Sequence, residues 1–125
     1  MHQITFTSKL ARILRDIQDP SLLLNIRHAC RQQQAFWFSA EDAVLVLRPR
    51  VSDGMPYVLV WLAVSTRRKG LEHYLPTLQY LTRRMGGRWA EFYTVRRGFT
   101  RIAERLGFER MADEEGFMRF KIPVE

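Results

Sequence analysis

An almost unbroken apolar run, YVLVWLAV at residues 57–64, limits most strongly how this chain can fold. It is too short for a membrane-spanning helix, which needs about 18 apolar residues or more. A run of this length is typical of a strand that is covered on both faces within a sheet. The basic segment STRRKG follows at residues 65–70, and leucines at helical spacing come next. The sequence therefore predicts a buried strand, a basic turn and a helix in direct succession.

The helix predicted after the basic turn has one apolar side. That side carries Leu71, Leu75, Leu78, Leu81 and Met85. Pro76 has no N–H group and is tolerated only near the start of a helix, where the first N–H groups have no intrahelical partner. We therefore expect this helix to begin near residue 72 or later. Gly86 and Gly87 are expected to end it.

The first half of the chain shows local sequence patterns that are typical of both strands and helices. A strand is predicted at 1–7 and a helix at 9–17, and the segment DPS at 19–21 starts a second helix that ends near Gln33; both helices show apolar residues at helical spacing. The β-rich segments AFWFS and AVLVLR, separated by AED, indicate a hairpin. The segment PRVSDGMP at 49–56, with one glycine and two prolines, is interpreted as a loop.

The second half adds a strand, a helix and a hairpin. RWAEFYTV at 88–95 reads as a strand, and the following helix places Phe99, Ile102, Ala103 and Leu106 inward before Gly107 closes it. FERMA and FMRFKIPV flank DEEG, which is a good hairpin turn. Helices cross between strands only in this half, which favours mixed strand pairing. We expect one α+β domain over residues 1–125, with a mainly antiparallel mixed sheet of six to seven strands and about four helices.

The charge of the chain narrows the choice of partner. Its formal net charge is +7, and only Lys9, Lys69 and Lys121 of its twenty basic residues are lysines. Arginine suits bidentate contacts to phosphate and carboxylate groups. The expected partner is therefore anionic: a phosphorylated cofactor, an acidic protein surface, or nucleic acid.

The single cysteine and the three scattered histidines argue against a disulfide and against a metal site. Cys30 is interpreted as a small apolar residue on a helix face. The N-terminal segment does not have the basic-then-apolar build of a signal peptide. With no membrane span predicted, the cytoplasm is the expected location, and a particle that carries the protein is the open alternative.

The succession of strand, basic turn and helix resembles the GNAT superfamily of N-acetyltransferases. The family has a buried fourth strand, a loop of the form Q/R-x-x-G-x-G/A and a long helix. VLVWLAV would be that strand here, and RRKGLE at 67–72 would be the loop. RWAEFYTV, GFTRIAERLGFER and the DEEG hairpin occupy the places of the later elements. The order matches over nearly the whole chain, and the residues match mostly over 57–122.

The resemblance implies a site for acetyl-CoA. In the family, the backbone of the buried strand binds the pantetheine arm, and the loop binds the pyrophosphate at the start of the helix. The residues carried over to this role are Leu62, Ala63, Val64, Arg67, Arg68, Lys69 and Gly70.

The chain departs from the family at the residues that carry chemistry. Glu72 stands where the loop has a second small residue, and Ala103 stands where the family has a tyrosine that can protonate the leaving thiolate. The buried run has no glutamate to act as a base. Glu91, Tyr93 and His73 are the candidate replacements, and each also has a simpler interpretation as an exposed strand or helix residue.

A narrower resemblance concerns small GNAT-like proteins of tailed bacteriophages, including internal virion proteins of short-tailed phages. TVRRGFTRIAERLGFER at 94–110 carries it. It implies a non-catalytic binding protein or a structural protein of the virion or of ejection, with other phage structural proteins as partners. Two alternatives remain open. One is an active acetyl-CoA-dependent N-acetyltransferase with atypical catalytic residues. The other is a small basic nucleic-acid-binding module, for which Trp89, Tyr93 and Phe99 would have to be exposed rather than part of the core.

Overall fold

The computed structural model describes residues 20–124, in which three helices and six strands occur. The helices are α1 (Pro20–Arg31), α2 (Gly70–Arg84) and α3 (Phe99–Leu106). The strands are β1 (Phe36–Ala40), β2 (Ala43–Ser52), β3 (Met55–Ser65), β4 (Trp89–Thr94), β5 (Glu109–Glu114) and β6 (Phe117–Pro123).

The six strands form one mixed sheet in the order β1-β2-β3-β4-β6-β5. β1 pairs antiparallel with β2, and β6 pairs antiparallel with both β4 and β5. β3 and β4 run parallel and pair through Val58 with Ala90 and Leu59 with Glu91. The predicted α+β class with a mainly antiparallel sheet is therefore confirmed. The strand predicted at 1–7 and the helix predicted at 9–17 lie outside the described residues.

The chain divides into two compact units. Among the described residues, the first contains 20–48 and Trp61–Leu71, and the second contains Pro49–Val60 and the chain from Glu72 onward. Because β2, β3 and α2 each contribute residues to both units, neither unit is a continuous stretch of sequence. Among residues 20–124, no helix is both long enough and apolar enough to cross a membrane.

The core of the first unit lies between α1 and the strands. Its buried residues are Ile26, Ala29, Ala35, Val44 and Val46. Leu62 and Val64 of β3 pack against this core, as does the half-buried Cys30. Burial raises the pKa of the Cys30 thiol, in agreement with its interpretation as a small apolar residue.

The core of the second unit lies on one face of β4 and β6. The ring of Phe92 contacts the rings of Phe99, Phe108 and Phe120, with centroids 5.3 to 6.1 Å apart. Since successive strand residues point to opposite faces, Trp89, Glu91 and Tyr93 point away from the face that carries Phe92. This alternation gives the unit one apolar and one polar sheet face.

The segment at 49–56 is not the loop that its prolines and glycine indicated. β2 and β3 continue to a two-residue turn formed by Asp53 and Gly54, whose φ angles are 50° and 76°. Both angles are positive, as a type I′ hairpin turn requires, and Asp-Gly is a favoured pair for it. The correct signal was this dipeptide, and the flanking Pro49 and Pro56 obscured it.

The start of α2 is also earlier than expected. The helix begins at Gly70, which leaves Pro76 inside it. Because proline has no N–H group, Pro76 cannot donate to the carbonyl of Glu72. Leu78 is buried as expected, and Gly86, at φ 81°, follows the end of the helix. Because the helix ends at Arg84, Met85 lies beyond it and not on its apolar side.

Candidate functional site

The basic turn, residues 65–70, has a fixed backbone shape within the first unit. The amide of Arg67 donates to the hydroxyl Oγ of Ser65 at 3.0 Å. Lys69 takes a left-handed conformation with φ 56°. A Cβ atom placed on Gly70 would lie 2.8 Å from both Cβ and Oγ of Ser65, so a larger residue does not fit without movement. The turn is therefore closed by the approach of Gly70 to Ser65.

A second contact anchors the basic turn to the hairpin between β1 and β2. The amide of Thr66 donates to the carbonyl of Asp42 at 3.0 Å, and Nη1 of Arg67 lies 3.4 Å from Oδ2 of Asp42. Arg67 is thus the member of the basic triplet that stabilises the turn. Arg68 and Lys69 are exposed, and within residues 20–124 their side chains make no hydrogen bond or ion pair.

The three strand residues assigned to the cofactor arm lie on β3 directly before the turn. Leu62 and Val64 are half-buried against the core of the first unit, whereas Ala63 between them is exposed. The first unit therefore contains all seven candidate cofactor residues, from Leu62 to Gly70.

Glu72, the residue that departs from the loop pattern, has a partner in the second unit. Its carboxylate forms an ion pair with Arg105 of α3, whose side chain is 57% exposed. An acidic residue in the first turn of a helix is also favourable to the helix dipole. The negative charge of Glu72 is thus partly compensated within its own unit.

Glu91 is the centre of a polar network on the sheet face opposite the second core. Its side chain is only 2% exposed, so its interpretation as a surface residue is wrong. The indole Nε1 of Trp89 donates to Oε1 of Glu91 at 2.9 Å, and Nη2 of Arg119 donates to Oε2 at 3.1 Å. Both carboxylate oxygens therefore have donors, as a buried charge requires.

Tyr93 belongs to the same network. Its hydroxyl donates to Oε2 of Glu114 at 3.0 Å, and the guanidinium of Arg119 lies 5.5 Å from its ring centroid. Nε of Arg119 is 3.7 Å from the same Glu114 oxygen, which is an ion pair without a hydrogen bond. We call Trp89, Glu91, Tyr93, Glu114 and Arg119 the Glu91 cluster.

The surroundings within the Glu91 cluster favour a neutral hydroxyl on Tyr93 and a charged guanidinium on Arg119. Burial raises the pKa of the Tyr93 hydroxyl, and the hydrogen bond to Glu114 raises it further against the opposing charge of Arg119. Burial lowers the pKa of Arg119, but the hydrogen bond and charge of Glu91 more than offset this, so the pKa is raised. Tyr93 is thus held neutral and Arg119 charged.

The structure brings two of the three candidate catalytic residues together. Glu91 and Tyr93 share the Glu91 cluster, whereas His73 is an exposed residue of α2 whose ring meets the edge of Tyr74 at 4.7 Å. Ala103, at the position of the family tyrosine, is 3% exposed and belongs to the core.

The aromatic residues considered for base stacking do not share one environment. Phe99 lies against Phe92 in the core, as expected, and Trp89 is stacked with Tyr57 at 5.4 Å. Tyr93 is 37% exposed, which contradicts a core position for it.

Among residues 20–124, no group of three or more histidine, cysteine, aspartate or glutamate side chains could hold a metal ion. No protein-family model matches the chain, and no curated protein matches it with significance.

The sequence patterns did not indicate the side chains that hold the basic turn and Glu91 in place. Asp42 and Arg119 fix the basic turn and Glu91, and each lies 25 or more positions from the residue it holds. Strand alternation could have placed Glu91 beside Trp89 and Tyr93 on one face. No local pattern could have selected Arg119, because the β4–β6 register decides it.

Proposed function

We propose that this chain is a non-catalytic binding or structural protein on a GNAT-like fold, of bacteriophage type, with a role in the virion or in ejection. The observation that carries the proposal is the engagement of both Glu91 and Tyr93 in the Glu91 cluster. Glu91 accepts from Trp89 and Arg119, and Tyr93 donates to Glu114.

These contacts are unsuited to acid–base catalysis. A general base must be accessible to the substrate, within hydrogen-bond reach of the proton that it takes. Glu91 has a donor on each oxygen and is almost fully buried. A general acid must give its proton to the leaving group, and the proton of Tyr93 is directed at Glu114. Both side chains act as structural links between β4 and the β5–β6 hairpin.

The basic turn is the part of the domain for which we propose binding. Gly70 approaches Ser65 closely, and Arg68 and Lys69 extend from a turn of fixed shape. Such a turn before a helix suits a phosphate or carboxylate group, because backbone N–H groups and basic side chains converge there. Coenzyme A or an acidic surface of another phage structural protein would supply that group.

An acetyl-transfer assay tests the non-catalytic role. The protein is incubated with acetyl-CoA and a panel of amines (a lysine peptide, a peptide with a free N-terminus, and a polyamine), and free thiol and acceptor mass are measured. We expect no transfer above the rate without protein. Transfer that is lost in Glu91→Gln or Tyr93→Phe would overturn the proposal.

The alternative is an active acetyl-CoA-dependent N-acetyltransferase. The shape of the basic turn favours it, since binding geometry alone can supply much of the rate when an amine is held against a thioester. The melting temperature measured with millimolar acetyl-CoA tests cofactor binding separately from acetyl transfer. A rise that Arg68→Ala/Lys69→Ala abolishes would show that the turn holds the cofactor. No rise would exclude the enzyme and leave an acidic protein surface or nucleic acid as the partner.

A further inference from the structure

A half-open cavity of about 390 Å³ lies at the surface of the second unit beside the start of α3. Its size is within the range of small-ligand sites. Its wall combines charged, hydroxyl and apolar side chains, namely Val95, Arg97, Thr100, Arg110, Asp113 and Met118. None of these residues belongs to the basic turn or to the Glu91 cluster.

A β-bulge shapes the wall of this cavity. The register of β5 against β6 shifts between Met111 and Glu114. In a regular strand, residues 110 and 113 would point to opposite faces, whereas an added residue lets them point to the same side. Nη2 of Arg110 is accordingly 2.7 Å from Oδ1 of Asp113. The guanidinium of Arg110 also lies 5.5 Å from the ring centroid of Phe120, so two contacts hold it in place.

Arg97 differs from Arg110 because its charge is not used. It is exposed, and within residues 20–124 its side chain makes no hydrogen bond or ion pair. Among the described residues, the hydroxyl of Thr100, also in the wall, has only the sulfur of Met118 as acceptor, at 4.0 Å. Within that part of the chain, the cavity thus offers an unpaired guanidinium and a weakly engaged hydroxyl to a ligand.

We propose that this cavity binds the carboxylate of a ligand that also has an apolar part. Arg97 would hold the carboxylate, since its planar group matches carboxylate geometry. A single carboxylate cannot fill 390 Å³, and Val95 and Met118 provide an apolar surface for the rest of the ligand. A dianionic phosphate is disfavoured because Asp113 places a negative charge in the same wall.

The test is an NMR titration of the full chain with hexanoate, an apolar carboxylate. The Met118 methyl signal, assigned through Met118→Leu, and the Thr100 amide signal report on the cavity. We expect both to shift and saturate with hexanoate and to move little with neutral hexanamide or with inorganic phosphate. Arg97→Gln is expected to weaken hexanoate binding about tenfold or more, as loss of a charge-assisted hydrogen bond predicts.

Arg96→Gln is the matched control. It removes the same charge from the neighbouring exposed position, which does not line the cavity, and it should leave the affinity within about twofold. Asp113→Asn should strengthen binding, because it removes the competing carboxylate from Arg110. Equal losses in Arg96→Gln and Arg97→Gln, or equal shifts with hexanoate and hexanamide, would overturn the proposal. The outcome is independent of whether the basic turn binds coenzyme A.

Discussion

The basic turn carries candidate cofactor-binding residues and the Glu91 cluster carries two candidate catalytic residues, yet the side chains of the two regions are used differently. In the turn, backbone contacts and Arg67 provide the stability, and Arg68 and Lys69 are exposed. In the Glu91 cluster, every polar side chain is engaged with another member. Among residues 20–124, the side chains of Arg68 and Lys69 thus have no partner, whereas Glu91 and Tyr93 hold strands together.

Under the proposed function, the basic turn is the binding element and the side chains of the Glu91 cluster serve stability. A buried carboxylate is costly unless it is paired. Glu91 accepts two hydrogen bonds, so its retention in the sheet does not require a catalytic role. Substitutions made separately in the basic turn and in the Glu91 cluster test this difference.

Arg119→Ala is expected to lower the free energy of unfolding by the largest amount. It leaves the buried Glu91 with Trp89 as its only donor in the Glu91 cluster, and removing one member of a buried ion pair costs about 3 kcal/mol or more. The free energy of unfolding from urea denaturation measures the loss. The double variant Glu91→Leu/Arg119→Met should regain most of it, because no unpaired charge remains. A single variant with wild-type stability would show that the pair is not structural.

Gly70→Ala should have the next largest effect. Its Cβ would meet Ser65 at 2.8 Å, and overpacking of this kind costs about 1–3 kcal/mol. Ser65→Gly should rescue the variant by removing the atoms in the way. Gly98→Ala is the control, since a Cβ there meets nothing within 4 Å. If Gly70→Ala is as stable as Gly98→Ala, the turn is not closed by this contact.

The smallest expected effect concerns pH. The pKa of Tyr93 is raised above its usual value of 10.0, so the folded state favours the neutral hydroxyl. Its contribution to stability is fully present below pH 10 and is lost as the pH rises through the folded pKa. The absorbance difference at alkaline pH between wild type and Tyr93→Phe gives this pKa directly. Glu114→Gln should lower it, and no change in that variant would contradict the hydrogen bond.

Local patterns predicted the elements of the sheet well, because apolar spacing and glycine stops act over a few residues. The strand, turn and helix around Gly70 were found in this way. Burial of Glu91 could not be found, since it depends on Arg119 from a strand 28 positions away. The role of Asp42 in anchoring the basic turn is non-local in the same sense. The hairpin at Asp53 and Gly54 was predictable, because the dipeptide itself is a hairpin signal.

Acetyl transfer in the wild type and in Glu91→Gln is the most direct measurement of the central claim, with Tm measured on both proteins. We expect no transfer above background by either protein. We also expect a lower Tm for Glu91→Gln, because a neutral side chain cannot form an ion pair with Arg119. Transfer by the wild type that falls a hundredfold or more in a variant of unchanged Tm would show that Glu91 is catalytic and would contradict the account.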